Sequence, residues 1–368
     1  MESSSVLIIG GGPAGSSCAK ALHDAGLCAI ILDKSTFPRN KVCGGWITPA
    51  VLDDLNIDLT AYATGRVIQP ITGFRTSLMG GTEIETEYGR TVSYGIRRFE
   101  FDDYLLNRCG AQLRLGTPLE SIVRSADGWI VNGQIHARLI VGAGGHFCPV
   151  ARFLGAKTSG EAPVTAQEVE FKMSAEQLSS CSISRNLPEL FFCEDMLGYG
   201  WCFRKGDFLN IGLGRLDQRS LPFHVAAFVC FLKDTGKVAF DLPLSMRGHA
   251  YLIQRETRRK LVEDGILLIG DAAGLAYSQS GEGILPAVES GLLAAKVILD
   301  AGGQYTRDRL SSYRDLLATR FDKSQSDWAT RIGRSLPPRG MKSLARMLLG
   351  TRWFSRHVVL DRWFLRTQ

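Results

Sequence analysis

Three glycines near the amino terminus have the spacing of a phosphate-binding turn. They follow the apolar residues 6–9 in the pattern GxGxxG and lead into a segment with helical spacing. The first glycine permits a tight turn, the second lets the backbone approach a pyrophosphate, and the third lets the helix pack on the strand. The N–H groups at the start of that helix would bind the phosphates. The residues predicted to do so are Gly10, Gly12, Pro13, Ala14 and Gly15.

An acidic residue follows the next predicted strand. Residues 28–32 are mostly apolar, and Asp33 comes directly after them. A carboxylate at this place can accept hydrogen bonds from ribose hydroxyls. Strand, helix and acid in register therefore predict dinucleotide binding. The alternative is a glycine-rich turn that binds nothing.

A second glycine motif lies far downstream. Residues 270–274 read GDAAG after an apolar run, and residues 281–284 read GEGI before a long apolar segment. A simple NAD domain does not need this motif, so it favours FAD. The pattern resembles the ribityl-binding segment of FAD-dependent reductases and hydroxylases, which implies that Asp271 bonds ribityl hydroxyls. The helix beginning near Gly283 would point its positive end at the flavin and favour an anionic reduced form.

Further segments extend the resemblance over most of the chain. They read FPRNKVCGG at 37–45, RFEFD at 98–102, YGWCF at 199–203 with Lys205 and NIGLG at 210–214, and GDAAG to ESG at 270–291. Together they resemble the geranylgeranyl reductase family of flavoproteins, which belongs to the larger group built like p-hydroxybenzoate hydroxylase. The resemblance implies a non-covalently bound FAD.

The resemblance also implies residue roles. Cys43 would lie near the flavin, where its thiol donates a proton or shapes the pocket, or is only a small residue that lets the flavin move. Trp201 would lie in the sheet that roofs the cavity, or be a core aromatic of that sheet. Beyond the first glycine motif, the predicted cofactor contacts are Asp33, Lys34, Arg39, Lys41, Cys43, Gly44, Arg98, Gly142, Ala143, Gly144, Gly270, Asp271, Gly281, Gly283 and Ile284.

Three functions stay open on the sequence. In a reductase of this kind, reduced FAD gives hydride from N5 to a double bond of a hydrophobic or aromatic substrate, and a nearby acid supplies the proton. In a monooxygenase, the flavin activates oxygen in a dry pocket, and His146 is a candidate to hold a polar group of the substrate unless it is a surface-loop histidine. The third function is a maturation or interaction protein that binds FAD without turnover.

One position bears on the source of electrons. Related hydroxylases carry an aspartate where this chain has Gly144. That aspartate helps to organise the flavin and NADPH contacts. The electron donor is therefore expected to be either NAD(P)H or a separate electron-donor protein.

The strands and helices predicted around these residues indicate an α/β protein. Three short apolar strands that end in glycine, the first opening a βαβ unit, indicate a Rossmann-type FAD-binding domain like that of glutathione reductase. Alternating residues at 167–173 and a hairpin at 201–213 predict an inserted antiparallel β substrate domain with one wetted face. The predicted ranges are 1–67, 96–159 and 251–305 for the FAD domain, 68–95 and 160–250 for the substrate domain, and 306–368 for a C-terminal helical region.

Charge is concentrated in that last region. The chain of 368 residues carries a net charge of +6, yet residues 1–330 hold 34 bases and 36 acids, and the last 38 residues hold nine bases and one acid. No nucleic-acid-binding module is present, so no nucleic acid partner is expected. After Pro338 the tail combines Arg with aromatics such as Trp353 and with Leu344, Met347 and Leu348 at helical spacing. It would lie on an anionic membrane surface or dock on the protein body.

Composition and cysteine usage indicate a globular protein and its cellular compartment. With 45% hydrophobic and 22% charged residues, the chain can build a sizeable core and is not globally disordered. Nine scattered cysteines without a CxxC pair suggest neither disulfides nor a metal site. The acidic start and the lack of a long apolar window predict a cytoplasmic protein with peripheral membrane contact at most.

Overall fold

The computed structural model describes residues 1–156, 161–217, 220–242, 245–254, 259–321 and 346–366. The strands are β1 Glu2–Ile9, β2 Ala29–Leu32, β3 Trp46–Ile47, β4 Ile68–Ile71, β5 Gly73–Leu78, β6 Ile84–Glu87, β7 Ser93–Ile96, β8 Gln112–Arg114, β9 Ile122–Arg124, β10 Trp129–Val131, β11 Ile135–Gly142, β12 Val164–Lys172, β13 Glu189–Phe192, β14 Gly198–Lys205, β15 Phe208–Arg215, β16 Arg247–Tyr251, β17 Val262–Glu263 and β18 Ile266–Leu268.

The helices complete this order. They are α1 Pro13–Asp24, α2 Pro49–Asp54, α3 Leu59–Ala63, α4 Arg98–Asn107, α5 Pro149–Phe153, α6 Ala175–Ser180, α7 Leu221–Asp234, α8 Ile284–Asp300, α9 Arg307–Leu310, α10 Ser312–Phe321 and α11 Arg352–Phe354, with a 3₁₀ turn at Gly270–Ala272 and a π-helical segment at Ser355–Phe364. No helix within the described ranges is long and apolar enough to cross a bilayer.

The chain folds into two compact units that are each discontinuous in sequence. The first unit contains the described parts of residues 1–40, 99–162 and 251–321, and the second contains those of 41–98, 163–250 and 346–366.

A largely parallel sheet forms the centre of the first unit. Its strand order is β17-β18-β11-β1-β2-β8, and β10 with β9 pairs onto β11. The pairs β1–β11, β1–β2, β2–β8 and β11–β18 are parallel. Residues 6–9 of β1 are all buried, as expected of a continuous apolar strand in a parallel sheet. The predicted α/β fold with its βαβ opening is confirmed.

Two helices of the first unit cross at a glycine. A Cβ atom on Gly291 of α8 would lie 2.4 Å from the carbonyl oxygen of Ala14 and 3.1 Å from the nitrogen of Cys18, both in α1. Real Cβ atoms do not approach backbone atoms this closely, so only glycine permits the crossing. The helix that starts at the first glycine motif is thereby packed against the helix that follows the second.

The second unit is built on a seven-stranded sheet. Its strand order is β16-β12-β15-β14-β13-β5-β6, in which β12, β15, β14 and β13 pair antiparallel and β13 pairs parallel with β5. A small sheet of order β3-β7-β4 accompanies it. One face of the large sheet packs under α7 in an apolar core that includes Val169, Phe171, Ile211 and Phe228.

The opposite face of this sheet is buried at Glu168 and Asn210, so the prediction of a wetted face is wrong there. Glu168 and Asn210 project from it, yet their exposed fractions are only 6% and 0%. Residues 43–45 cover them, because the Asn210 amide donates to the carbonyl oxygen of Cys43 at 3.2 Å. Alternation of polar and apolar residues identified the strand correctly, but the polar side meets a loop and not water.

The C-terminal segment also packs within the second unit. The Phe364 ring lies 5.4 Å from that of Trp46 and 5.5 Å from that of Tyr199, and the Tyr88 hydroxyl donates to Asp361 at 2.6 Å. Within the described residues 346–366, Phe364 thus packs on rings of the same unit, whereas Trp353 is 61% exposed. Leu344 and the residues around Pro338 lie outside the described ranges.

Two domain limits differ from those predicted. Residues 41–67 belong with the second unit, because β3 pairs with β7 and α2 and α3 follow β3 directly. Residues 306–321 belong to the first unit, where the Tyr313 hydroxyl of α10 donates to the carbonyl oxygen of Leu268 at 3.1 Å. The boundary predicted after residue 305, where the helix-rich sequence begins, is therefore not a domain boundary.

Gly291→Ala tests the helix crossing. In an open helix this change would stabilise by up to about 1 kcal/mol, but the overlap with the Ala14 carbonyl predicts a loss of about 1–3 kcal/mol in the free energy of unfolding. Urea unfolding monitored by circular dichroism measures it. Gly248→Ala is the control, since its Cβ would meet only the Ala166 oxygen at 4.0 Å. Equal midpoints for the two variants would contradict the close crossing.

Candidate functional site

The first glycine motif forms a turn that has no room for side chains. Gly10 has a φ of +116°, and its Cβ would lie 2.5 Å from the carbonyl oxygen of Ala143. A Cβ on Gly15 would lie 1.9 Å from the oxygen of Gly10. Gly12 is the N-cap of α1, and no side chain caps it. The start of α1 therefore presents bare backbone, as an anion-binding helix terminus requires.

The Asp33 carboxylate is fixed by the turn that it faces. The N–H of Gly11 donates to its Oδ2 at 2.7 Å, and the N–H of Ser35 donates to its Oδ1 at 2.8 Å. Each carboxylate oxygen has a second acceptor site, so Asp33 can still accept ribose hydroxyls. Lys34, predicted beside it, is exposed.

A guanidinium group stands at the same turn. Arg39 Nη2 lies 3.1 Å from Oδ2 of Asp102, whose side chain is fully buried. The guanidinium also lies 4.8 Å from the centre of the Phe37 ring. The same Nη2 would be 3.4 Å from a Cβ on Gly12. Arg39 is thus held where it can neutralise a pyrophosphate at the glycine turn.

The second glycine motif lies against the first. A Cβ on Gly270 would be 2.9 Å from the Cβ of Ala14, and the N–H of Gly270 donates to the Ser290 hydroxyl at 2.9 Å. Asp271 Oδ1 lies 3.1 Å from the Cβ position of Gly283, the N-cap of α8. This carboxylate therefore sits at the positive end of α8.

The other glycines of this region serve close packing. The Cβ of Gly142 would lie 2.6 Å from Cδ2 of Leu268, and that of Gly281, whose φ is +69°, would lie 2.3 Å from the Tyr251 hydroxyl. Ala143 N donates to the carbonyl of Ile9 at 2.8 Å. A Cβ on Gly144 would have three atoms of residues 148 and 149 at 3.3 Å, which makes an aspartate there crowded. Ile284 begins α8 and is buried.

A buried arginine that sequence reasoning missed ties this region together. Arg259 is 8% exposed, and its Nε and Nη2 donate to the two oxygens of Glu161 at 2.6 and 2.7 Å. It also contacts the carbonyl of Ala272 at 2.9 Å and, at 2.9 and 3.3 Å, the carbonyl and Nδ1 of His146. His146 is 3% exposed and is therefore not a surface-loop histidine. No local pattern marks Arg259 or Glu161, because they pair across 98 residues.

In the second unit, side chains from the sheet hold the backbone at Cys43. The Asn210 amide donates to the Cys43 carbonyl and, at 3.0 Å, to Oε2 of Glu168. Trp201 Nε1 donates to Oδ1 of Asn210 at 2.7 Å, which fixes how the amide is turned. Cys43 itself is half-buried, and the N–H of Gly45 lies 3.4 Å from its sulfur.

Lys205 holds the next peptide of the same loop. Its Nζ donates to the carbonyls of Gly44 and Ile96 at 3.0 Å each and forms an ion pair with Glu170. Glu170 also receives Nε of Arg97 at 3.2 Å. Burial raises the pKa of the Glu170 carboxyl, but Lys205 and Arg97 outweigh it and hold that pKa below its usual value.

Trp201 lies flat on the neighbouring strand. A Cβ on Gly212 would be 2.3 Å from Cζ2 of its indole, so glycine makes the space for the ring. Trp201 is 8% exposed, and its N–H is used by Asn210. This geometry gives it a positioning role, and its role as a catalytic residue stays a prediction.

The structure divides the predicted site residues between the units. The first unit brings the two glycine motifs, Asp33, Arg39 and Asp271 together. The second contains Cys43, Gly44, Trp201 and two residues without a shown cofactor role. These are Lys41, whose Nζ lies 2.7 Å from Nε2 of His249, and Arg98, which begins α4 and is buried. The sequence did not indicate that Glu168 and Glu170 belong to this polar cluster, or that Lys205 and Asn210 bind the loop at Cys43.

The residues of the first unit fit FAD. The start of α1 at Gly12 offers N–H groups that no side chain caps, Arg39 supplies a cation for the pyrophosphate, Asp33 can accept ribose hydroxyls and Asp271 can accept ribityl hydroxyls. A dinucleotide with two sugars or sugar alcohols and two phosphates needs this set of partners.

Comparison with known proteins agrees with that set. The model of the FAD binding domain family matches residues 3–320. A digeranylgeranylglycerophospholipid reductase of Methanosphaera stadtmanae is 27% identical over 86% of this chain and 83% of its own length. A menaquinone reductase of Mycobacterium tuberculosis is 29% identical over 98% of this chain and 93% of its own.

A solved structure shows the same fold. The crystal structure of a geranylgeranyl bacteriochlorophyll reductase-like protein of Thermoplasma acidophilum has a TM-score of 0.76 and 19% identity to this chain. The similarity covers 95% of this chain and 88% of that one.

Asp271→Ala is expected to yield protein without bound FAD. It removes charge-assisted hydrogen bonds worth about 1.5–3 kcal/mol each, or roughly ten- to hundredfold in the dissociation constant. Flavin absorbance relative to protein absorbance measures the occupancy. Asp300→Ala is the matched control, because this exposed carboxylate lies at the C-terminal end of α8, away from Asp271 at its N-terminal end. This variant should remain yellow. Full FAD occupancy in Asp271→Ala would overturn the assignment of the ribityl site.

Proposed function

Because this chain belongs to the FAD binding domain family and is an FAD-dependent oxidoreductase, we propose that it reduces carbon–carbon double bonds in an isoprenoid chain. The observation that carries the proposal is the extent of similarity to the two reductases. The menaquinone reductase matches over 98% of this chain, so the likeness extends through the second unit as well as the nucleotide-binding one. Their names specify a reduction, and both substrates carry isoprenoid chains.

The chain's own residues support a division of labour. The first unit would hold FAD through the residues described above, and FAD supplies a hydride when reduced. The second unit, a largely antiparallel β domain with the docked C-terminal segment, would serve the substrate. Cys43 would supply the proton, since its thiol is half-buried and its carbonyl oxygen is held by the Asn210 amide at 3.2 Å.

Electrons would come from a separate electron-donor protein. The crowding around Gly144 supports this choice, because the loop closes where related hydroxylases place an aspartate for their NADPH contacts. Rapid bleaching of the flavin by NADPH alone would show direct reduction instead.

The proposal predicts reduction without oxygen. Chemically reduced enzyme, incubated anaerobically with a geranylgeranyl-bearing lipid, should yield a product that carries two more hydrogens for each double bond reduced. Mass spectrometry of extracted product measures it, and FAD-depleted Asp271→Ala is the control. A product that forms only in air and carries an added oxygen would establish a monooxygenase in place of the reductase.

We propose that the C-terminal segment contacts an anionic membrane surface. While Phe364 and Leu360 are buried, Trp353 and Met347 are 61% and 64% exposed among exposed arginines that include Arg352. An exposed indole beside cations suits the interface of an anionic bilayer. The hydrophobic substrate proposed above would reside in such a bilayer.

Trp353→Ala is therefore expected to weaken vesicle binding. The lost burial of one large side chain predicts roughly a tenfold fall in partition onto phosphatidylglycerol vesicles. Co-sedimentation measures it, and binding should also fall with added salt. Phe223→Ala is the control, because this aromatic is 73% exposed on α7. Equal binding by both variants, or equal binding to neutral vesicles, would contradict the membrane role.

A further inference from the structure

A buried arginine connects the loops that carry the two cofactor motifs of the first unit. Arg259 Nη1 donates to the carbonyl oxygen of Ala272, in the turn of the second glycine motif, at 2.9 Å, and its Nη2 donates to the carbonyl oxygen of His146 at 2.9 Å. His146 lies on the loop after β11, and the backbone of Ala143 on the same loop lies against Gly10 of the first motif. One guanidinium group therefore bonds to both loops.

The guanidinium is itself fixed by a carboxylate. Nε and Nη2 of Arg259 donate to the two oxygens of Glu161 at 2.6 and 2.7 Å, which is the bidentate geometry of an arginine–carboxylate pair. The side chains of Arg259 and Glu161 are only 1% and 10% exposed. Because one edge of the planar group is held by Glu161, its remaining N–H groups have a defined direction toward Ala272 and His146.

The same arginine sets the position of the proton on the His146 ring. Arg259 Nη2 lies 3.3 Å from Nδ1 of the imidazole, and a guanidinium can only donate hydrogen bonds. Nδ1 is therefore the acceptor, and the ring carries its proton on Nε2. His146 is 3% exposed, so the loop is held at both the backbone and the ring of one buried residue.

The contact at Ala272 bears on the cofactor site. Ala272 directly follows Asp271, the residue expected to accept ribityl hydroxyls, so a hydrogen bond that fixes the Ala272 peptide also limits where that carboxylate can lie. We propose that Arg259 is a positioning residue for FAD, which holds the Asp271 turn and the His146 loop in the arrangement that binds the cofactor. Glu161 contributes by fixing Arg259. This role concerns cofactor binding and is independent of the reaction proposed above.

Glu161 also lies beside the point where the chain leaves the first unit. The segment 99–162 of that unit ends one residue after it, and β12 of the second unit begins at Val164. Because coupling between two sites is reciprocal, FAD that stabilises the Ala272 turn should also stabilise the contact at Glu161 through Arg259. Binding of the cofactor thereby affects the connection to the second unit.

Arg259→Lys separates geometry from charge. Lysine keeps the positive charge, but its single ammonium cannot hold Glu161 by two parallel bonds and also reach both carbonyls. FAD should bind the variant apoenzyme about tenfold more weakly, as measured by fluorescence titration with FAD. Arg138→Lys is the matched control, because this exposed arginine donates to the carbonyl oxygen of Gly303, beyond the C-terminal end of α8. Its affinity for FAD should equal that of the wild type.

A purely structural role of Arg259 gives a different pattern. Arg259→Lys would then lower the urea midpoint of the apoenzyme and leave the dissociation constant for FAD unchanged, which would overturn the proposal. Glu161→Gln tests whether charge is the cause, since it keeps the side-chain size, loses a charge-assisted bond and leaves Arg259 uncompensated. Positioning predicts severalfold weaker binding of FAD to this variant. Tighter binding would assign the effect to attraction between Arg259 and the anionic cofactor, and the positioning role would be wrong.

Hydrogen exchange in the wild-type protein tests the coupling even if neither variant folds. FAD should slow exchange in a peptide that spans residues 161–166 about fivefold relative to the apoenzyme. None of these residues is an expected cofactor contact, and Arg259 joins Glu161 to the motif. A peptide that spans residues 122–131, with β9 and β10 of the first unit, is the control and should change much less. Unchanged exchange at 161–166, or equal slowing of both peptides, would overturn the proposal.

Discussion

Close approach of backbone to backbone is the constraint on which the first unit depends. At Gly10 the end of β1 touches the backbone of Ala143, at Gly15 α1 begins against Gly10, and at Gly291 α8 crosses α1. None of these contacts tolerates a Cβ atom. Because the contacts at Gly10 and Gly291 join segments that are remote in sequence, they bring the N-termini of α1 and α8 into one region. The anion-binding helix start and the carboxylate of Asp271 are placed by these contacts.

The second unit solves a related problem with side chains. In its loop at Cys43, the carbonyl oxygens of Cys43 and Gly44 accept hydrogen bonds from the side chains of Asn210 and Lys205. Buried polar groups of this kind are costly unless every one is bonded. Here two carboxylates, an ammonium and a guanidinium compensate one another unequally. Glu170 takes both cations, and Glu168 is left with the burial penalty.

What the sequence could reveal follows from the distance over which each feature is encoded. The glycine motifs and Asp33 have fixed local spacing, so the dinucleotide site was predicted, and the βαβ opening was confirmed. Arg259 and Glu161 meet through the fold, and nothing in their neighbourhood announces the pair. The alternation at β12 identified a strand with one polar face, but periodicity cannot state whether water or a loop covers that face.

The docking of Phe364 has a consequence for how the chain acquires its structure. The ring completes an aromatic cluster with Trp46, Phe74 and Tyr199. During synthesis from the amino terminus, more than three hundred residues are added between Trp46, the first ring of the cluster, and Phe364, the last. Closure of such remote contacts is slow, and exposed apolar rings invite association in the meantime. The aromatic cluster of the second unit is therefore complete only after residue 364 has been made.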